Sequence, residues 1–204
     1  MKGVVEAISA LLISGILIGV VGTVYFWGVP LIQKNKDISV LETTEDFMRE
    51  LNDRVKLVAN TGGREQVQFN IPGLIRFNGE QVNVVIDSEG TIYSAEAEVP
   101  LSRNAPSLLK GKWGIDEPEI IKVVAEQIVQ NRYRNTYTLK YIPLEIRSGP
   151  PPSTAVDKVF KVKLTGIDSV GGQGSVVIIT NKGTDEELAD GKTVISTNVD
   201  ISVQ

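Results

Sequence analysis

Ala7-Ile8-Ser9-Ala10-Leu11-Leu12-Ile13-Ser14-Gly15-Ile16-Leu17-Ile18-Gly19-Val20-Val21-Gly22-Thr23-Val24-Tyr25-Phe26-Trp27-Gly28-Val29-Pro30-Leu31-Ile32-Gln33 is an uncharged run near the start of a chain of 204 residues. Crossing a hydrocarbon core as a helix takes roughly 20 apolar residues at about 1.5 Å rise each, and this run is longer. It predicts a membrane-spanning helix over residues 4–33, with nearly all of the remaining chain on one side of the bilayer. A cleaved secretory signal is the competing reading. It calls for a basic start, an apolar region of only about 7–15 residues and a small-x-small cleavage site. Val24-Tyr25-Phe26-Trp27-Gly28-Val29-Pro30 offers no such site, and its three rings suit the boundary between lipid and water.

Within the span, Gly15, Gly19 and Gly22 recur at helical spacing on one face, and Ala10 with Ser14 adds a second small pair. Such a face lets two backbones approach closely, although small residues are also common in membrane helices for other reasons. Pro30 removes a backbone donor and crowds the preceding turn, which predicts a kink or break near residues 26–30. Beyond it, residues 34–61 turn amphipathic. Leu41, Met48 and Val55 form a stripe with Leu51 and Val58, widened by Val40 and Phe47. That stripe can pack either on its own domain or on copies of itself. Thr61-Gly62-Gly63 supplies the stop signal.

From residue 62 to 204 the period changes from helical to alternating. Val67–Ile71, Leu74–Phe77, Gln81–Ile86 and Thr91–Ala95 read as strands, separated by Pro72-Gly73, Asn78-Gly79 and Ser88-Glu89-Gly90, and a meander of hairpins is the expected product. Residues 100–116, with Trp113, are looser. Residues 119–130 carry a helix-start pattern in Asp116-Glu117-Pro118-Glu119 but are rich in β-branched Ile and Val, which favours strand. Residues 132–147 place Tyr133, Tyr137 and Tyr141 on one strand face. Ser148-Gly149-Pro150-Pro151-Pro152-Ser153 is a stiff connector. Residues 159–164, 175–180 and 193–203 complete about eight or nine strands. The fold class expected is an N-terminal transmembrane and amphipathic α-helix followed by an all-β, sandwich-like ectodomain.

Composition narrows the function. Lys2 and Glu6 are the only charges before Lys34, the net charge is −4, and no basic cluster occurs, which argues against nucleic acid as a partner. The chain has no Cys and no His. Disulfides, thiolate chemistry, the common zinc sites and His-activated nucleophiles are thereby excluded. No cofactor, metal or catalytic residue is expected. The nearest approach to an enzyme site is a set of carboxylates: Glu96 and Glu98 on one strand face, and Asp185, Glu186, Glu187 and Asp190 in an acidic loop.

Lys2-Gly3 leading directly into the apolar helix, with acidic Glu6 just inside, resembles the class III signal of archaeal type IV pilins and archaellins. The amphipathic extension and the entry into strands from Gly62-Gly63-Arg64 to Ile71-Pro72-Gly73 extend the likeness to about residue 70. The resemblance implies that residues 1–3 are a leader cut by a prepilin peptidase after Gly3, leaving Val4 as the first mature residue. It further implies that the helix packs among other pilin subunits in a filament core through Gly15, Gly19 and Gly22, with the β-domain outside the cell membrane. Glu6 is similar to the acidic residue that bacterial pilins place near the mature start to pair with a neighbour's amino group, but lies closer to the terminus; alternatively it simply reaches the bilayer surface. The positive-inside rule does not orient the span, because Lys34 and Lys36 offset Lys2.

A second function fits the same layout. The chain can be a permanently anchored surface protein, similar to stator-like partners of the archaellum, whose β-domain binds an envelope component through Tyr133, Tyr137 and Tyr141; rings lining the core face of their strand are the more ordinary alternative for these three residues.

Overall fold

The computed structural model describes residues 2–101, 121–147 and 156–204. One helix, α1 (Lys2–Thr61), takes up the first 60 residues of the described chain, about 90 Å at standard rise. The two helical segments expected on either side of Pro30 are therefore one element: Pro30 lies inside α1, and the helix continues through it without a break. A single missing donor leaves one carbonyl to be satisfied locally, and long helices in apolar surroundings tolerate that loss. Gly62 and Gly63 then end the helix with positive φ (80° and 93°), the Gly62 N–H closing onto the Val58 carbonyl at 2.9 Å.

Among the described residues eleven strands follow: β1 (Arg64–Phe69), β2 (Leu74–Phe77), β3 (Val82–Ser88), β4 (Glu98–Pro100), β5 (Ile121–Val129), β6 (Arg132–Leu139), β7 (Leu144–Arg147), β8 (Val156–Thr165), β9 (Ser169–Gly171), β10 (Ser175–Ala189) and β11 (Lys192–Val203). They form a five-stranded sheet in the order β1-β10-β11-β8-β7 and a six-stranded sheet in the order β4-β5-β6-β3-β2-β9. The fold is thus a long apolar N-terminal helix followed by an all-β region of two sheets, as the alternation of residues 62–204 implied. One hydrophobic cluster joins both sheets to α1. It runs from Leu41, Met48, Leu51, Val55 and Val58 of the helix to Phe69, Ile179 and Ile201 of one sheet and Ile86, Tyr137 and Leu139 of the other.

Several local expectations are corrected. The meander does not form: β2 and β3 make a hairpin, but β1 pairs with β10, β3 with β6, and β8 runs parallel to β11. The Pro72-Gly73 corner carries the chain from one sheet to the other, and Gly73 lies so close to β3 that a Cβ there would collide with Ile86 and the Val85 carbonyl. Residues 91–95 are not a strand. Only Ala95 makes an isolated bridge, to Ala125, because Thr91 and Tyr93 direct their hydroxyls to Asn135 and to the helix. The 132–147 run is two strands in different sheets, split around Pro143. Residues 121–129 are strand, in keeping with their β-branching. β10 continues well past Thr180, so Asp185, Glu186 and Glu187 lie in a long hairpin strand and not in a loop, with Asp190 in its turn at φ 51°. Glu96, at φ 61°, lies outside β4, so it shares no strand face with Glu98. Trp113 and the proline-rich connector at 148–153 lie outside the described residues.

Candidate functional site

The two halves of α1 meet different surroundings. From Ile8 to Ile32, sixteen large hydrophobic side chains are exposed, including Leu11 at 77%, Phe26 at 81% and Trp27 at 83%. This half spans about 36 Å, exceeding the roughly 30 Å of a bilayer core. It makes α1 long and apolar enough to cross a membrane, and none of its apolar window is buried within the chain. Covering each such side chain gains about 1.5–3 kcal/mol, so the stretch as a whole stands to gain tens of kcal/mol. A contiguous exposed apolar surface of this extent is the mark of a face that lipid or another protein covers. Within this stretch the Thr23 hydroxyl is satisfied inside the helix, Oγ1 donating to the Gly19 carbonyl at 2.8 Å.

Gly15, Gly19 and Gly22 sit in this exposed half, and a Cβ added at any of them would meet nothing within 4 Å. No contact inside the chain therefore calls for glycine there. Lys2, Gly3, Val4 and Glu6 occupy the first turns of the same helix, at its end remote from the sheets.

The C-terminal half is built into the domain. Leu41, Met48, Leu51, Val55 and Val58 are fully buried and Phe47 nearly so, its ring edge-on to Phe69 at 5.1 Å. Of the two partners open to the amphipathic stripe, the chain's own sheets are the one it packs on. Polar contacts follow the stripe in order along the helix. Asp37 Oδ2 accepts the Glu89 N–H at 2.7 Å, and Asp37 Oδ1 accepts from Gln33 Nε2 at 2.9 Å. The Leu41 carbonyl accepts the Tyr137 hydroxyl at 3.2 Å, Glu45 accepts the Tyr93 hydroxyl at 2.6 Å, and Asn52 Oδ1 accepts the Tyr141 hydroxyl at 2.7 Å. Arg54 pairs with Glu65 at 3.0 Å. At the last turn, Asn181 Nδ2 donates to the Val58 carbonyl and the Asn181 N–H to the Gly63 carbonyl, both at 2.9 Å.

Tyr93 and Tyr137 also touch each other, hydroxyl to hydroxyl at 2.9 Å and ring edge to ring face at 5.9 Å. Burial pushes both phenols well above the ordinary tyrosine range. For Tyr93, the neighbouring Glu45 and the Tyr137 hydroxyl add to the rise; for Tyr137, contact with the Tyr93 hydroxyl opposes it and the Glu45 charge adds to it.

Tyr137 and Tyr141 thus face the domain's own core and helix, and only half-buried Tyr133 is open to solvent. Of the two roles open to the three rings, packing on the core face is the one taken by Tyr137 and Tyr141. The carboxylates do not converge. Glu98 is paired with Lys122, Asp185 Oδ2 accepts from Asn198 at 2.6 Å, and among the described residues no group of acidic side chains is placed to hold a metal ion.

Sequence reasoning missed the polar half of the junction. Asp37, Thr44 and Asn52 fall on the same face as the apolar stripe and are buried with it, and that placement was the available signal. Asn181 carried none, because its role depends on a bulge between Asn181 and Thr184 that only the pairing of β10 with β11 creates. The chain matches no known family model, no curated protein and no solved structure.

Proposed function

We propose that the chain is a pilin-like structural subunit of a type IV pilus or related surface filament, held in the membrane and then assembled through the N-terminal half of α1. One observation carries this reading: a single uninterrupted helix whose N-terminal half has no cover within the chain and whose C-terminal half is part of a folded β-domain. An apolar helix that is stable in lipid is equally stable among identical helices, because neither environment solvates charge. The continuous helix passes any position taken by its apolar half directly to the domain, as stacking in a filament requires. The Lys2-Gly3 junction, the resemblance to archaeal pilins and the glycine face without an internal purpose agree with it.

On this reading a prepilin peptidase cuts after Gly3, Val4 begins the mature subunit, and Gly15, Gly19 and Gly22 meet neighbouring helices. N-terminal sequencing of the protein recovered from native membranes and from sheared surface filaments tests it. A start at Val4 in the filament fraction is the expected result. An intact Met1, with all of the protein in the membrane fraction, overturns it in favour of a permanently anchored surface protein.

A further inference from the structure

We infer that the tip of the β5–β6 hairpin is a second membrane-contacting element, inserting Ile128 and Val129 into the bilayer interface beside the emerging helix. The inference rests on the reading that the N-terminal half of α1 spans a bilayer.

The junction contacts give the domain a direction along the helix. Tyr141 meets Asn52, Tyr137 meets Leu41, and the Glu89 N–H meets Asp37, so descending β6 toward lower residue numbers means descending α1 toward its apolar half. Ser88, beside Glu89, pairs with Tyr133. Past that level β3 has ended, while β5 and β6 continue to their turn at Gln130-Asn131, with Val129 paired to Arg132 and Asn131 at φ 59°. At about 3.4 Å per residue the tip reaches roughly 7–10 Å below Ser88. From Asp37 down to Ile32, the last large apolar residue of the exposed half, the helix descends about 7–8 Å. The hairpin tip and the upper edge of the apolar half therefore lie at about the same height.

The tip has the side chains for that position. A bulge between Gln127 and Val129 breaks the alternation of β5, and Ile128 and Val129, adjacent in sequence, are both exposed, at 46% and 55%. Gln127, Gln130, Asn131 and Arg132 surround them, and Lys34 and Lys36 project from the helix near the same height. Arg134, a step higher, is held by Asp87 through two bonds at 3.0 and 3.2 Å, and exposed Glu126, which pairs across the hairpin with Arg134, and Glu89 keep the height from being purely basic. A short apolar tip within a polar and cationic collar is the composition that settles among lipid headgroups. At the opposite end of the domain, the β10–β11 hairpin climbs away from the membrane and exposes Leu188 with acidic neighbours.

The absence of cysteine makes the test direct. Full-length Val129→Cys, Leu188→Cys and Ile16→Cys proteins are labelled with an environment-sensitive fluorophore and reconstituted into phosphatidylcholine–phosphatidylglycerol vesicles carrying doxyl lipids. The expected result is a blue shift at position 129 with most emission lost to shallow doxyl groups, loss at position 16 to deep ones, and neither effect at position 188. Loss at 16 with a water-like label at 129 overturns the inference and leaves the span intact. A blue shift at 129 without loss to doxyl lipid means that a second copy covers the tip, which also overturns it. No loss at position 16 removes the span, and the inference with it.

Discussion

Asn181 holds the end of α1 by two bonds, its side-chain amide reaching the Val58 carbonyl and its N–H the Gly63 carbonyl, while its side-chain oxygen accepts the Gly183 N–H at 2.6 Å within β10. Asn181→Ala should cost about 1 kcal/mol, chiefly for the lost bond to the Val58 carbonyl, because the exposed Gly183 N–H turns to water and Gly62 still caps part of the helix end. Thermal unfolding of the detergent-solubilised chain should then fall by about 2–4 °C. The tyrosine pair makes a prediction in pH. Both folded phenols hold their protons above the ordinary value of 10.0, so the folded state binds more protons than the unfolded chain once the solution passes that value. Their contribution is complete below about pH 10 and is lost as pH rises further. Urea midpoints measured against pH should decline above 10, and Tyr93→Phe should make that decline shallower; an unchanged slope would show that the buried hydroxyl does not link folding to protons.

At the level of elements, α1 is a core component of the β-domain over its last six turns or so, and an apolar helix with no cover inside the chain before that. Leu51→Ala empties a fully buried site where α1 joins the core of the β-domain and should cost about 2–5 kcal/mol in chemical unfolding of the domain. Leu12→Ala removes as much apolar surface from the exposed half and should move the same transition by no more than about 0.5 kcal/mol. This division was half legible. The 3.6-residue stripe from Leu41 to Val58 announced a buried face, but periodicity alone does not say what buries it. The strands were legible wherever alternation reported burial, as in β3 and β6. They were illegible where strands leave the core: β10 beyond Thr180 is exposed, so no hydrophobic alternation marks Asp185–Glu187 as strand. Partner choice was equally hidden, since the pairing of β1 with β10 joins segments more than a hundred residues apart and no local signal encodes it.

At the scale of the whole molecule, the glycine face separates what the chain needs from what an assembly needs. Gly19 has open space around its Cα within the chain, and replacing glycine by a residue with higher helix propensity favours an isolated helix by up to about 1 kcal/mol. Judged by the single chain alone, Gly19→Leu should be neutral or mildly stabilising. Judged by an assembly in which two helix backbones approach along Gly15, Gly19 and Gly22, the same change forces them apart by the width of a side chain and removes the contact. The two views predict opposite signs for one substitution. Gly19→Leu should leave the domain's thermal transition in place while lowering self-association of the full chain in detergent, read by analytical ultracentrifugation, and abolishing filaments on cells. A variant that associates as well as the parent would mean that the exposed half is covered by lipid alone, and that glycine is present for a reason unconnected with helix contact.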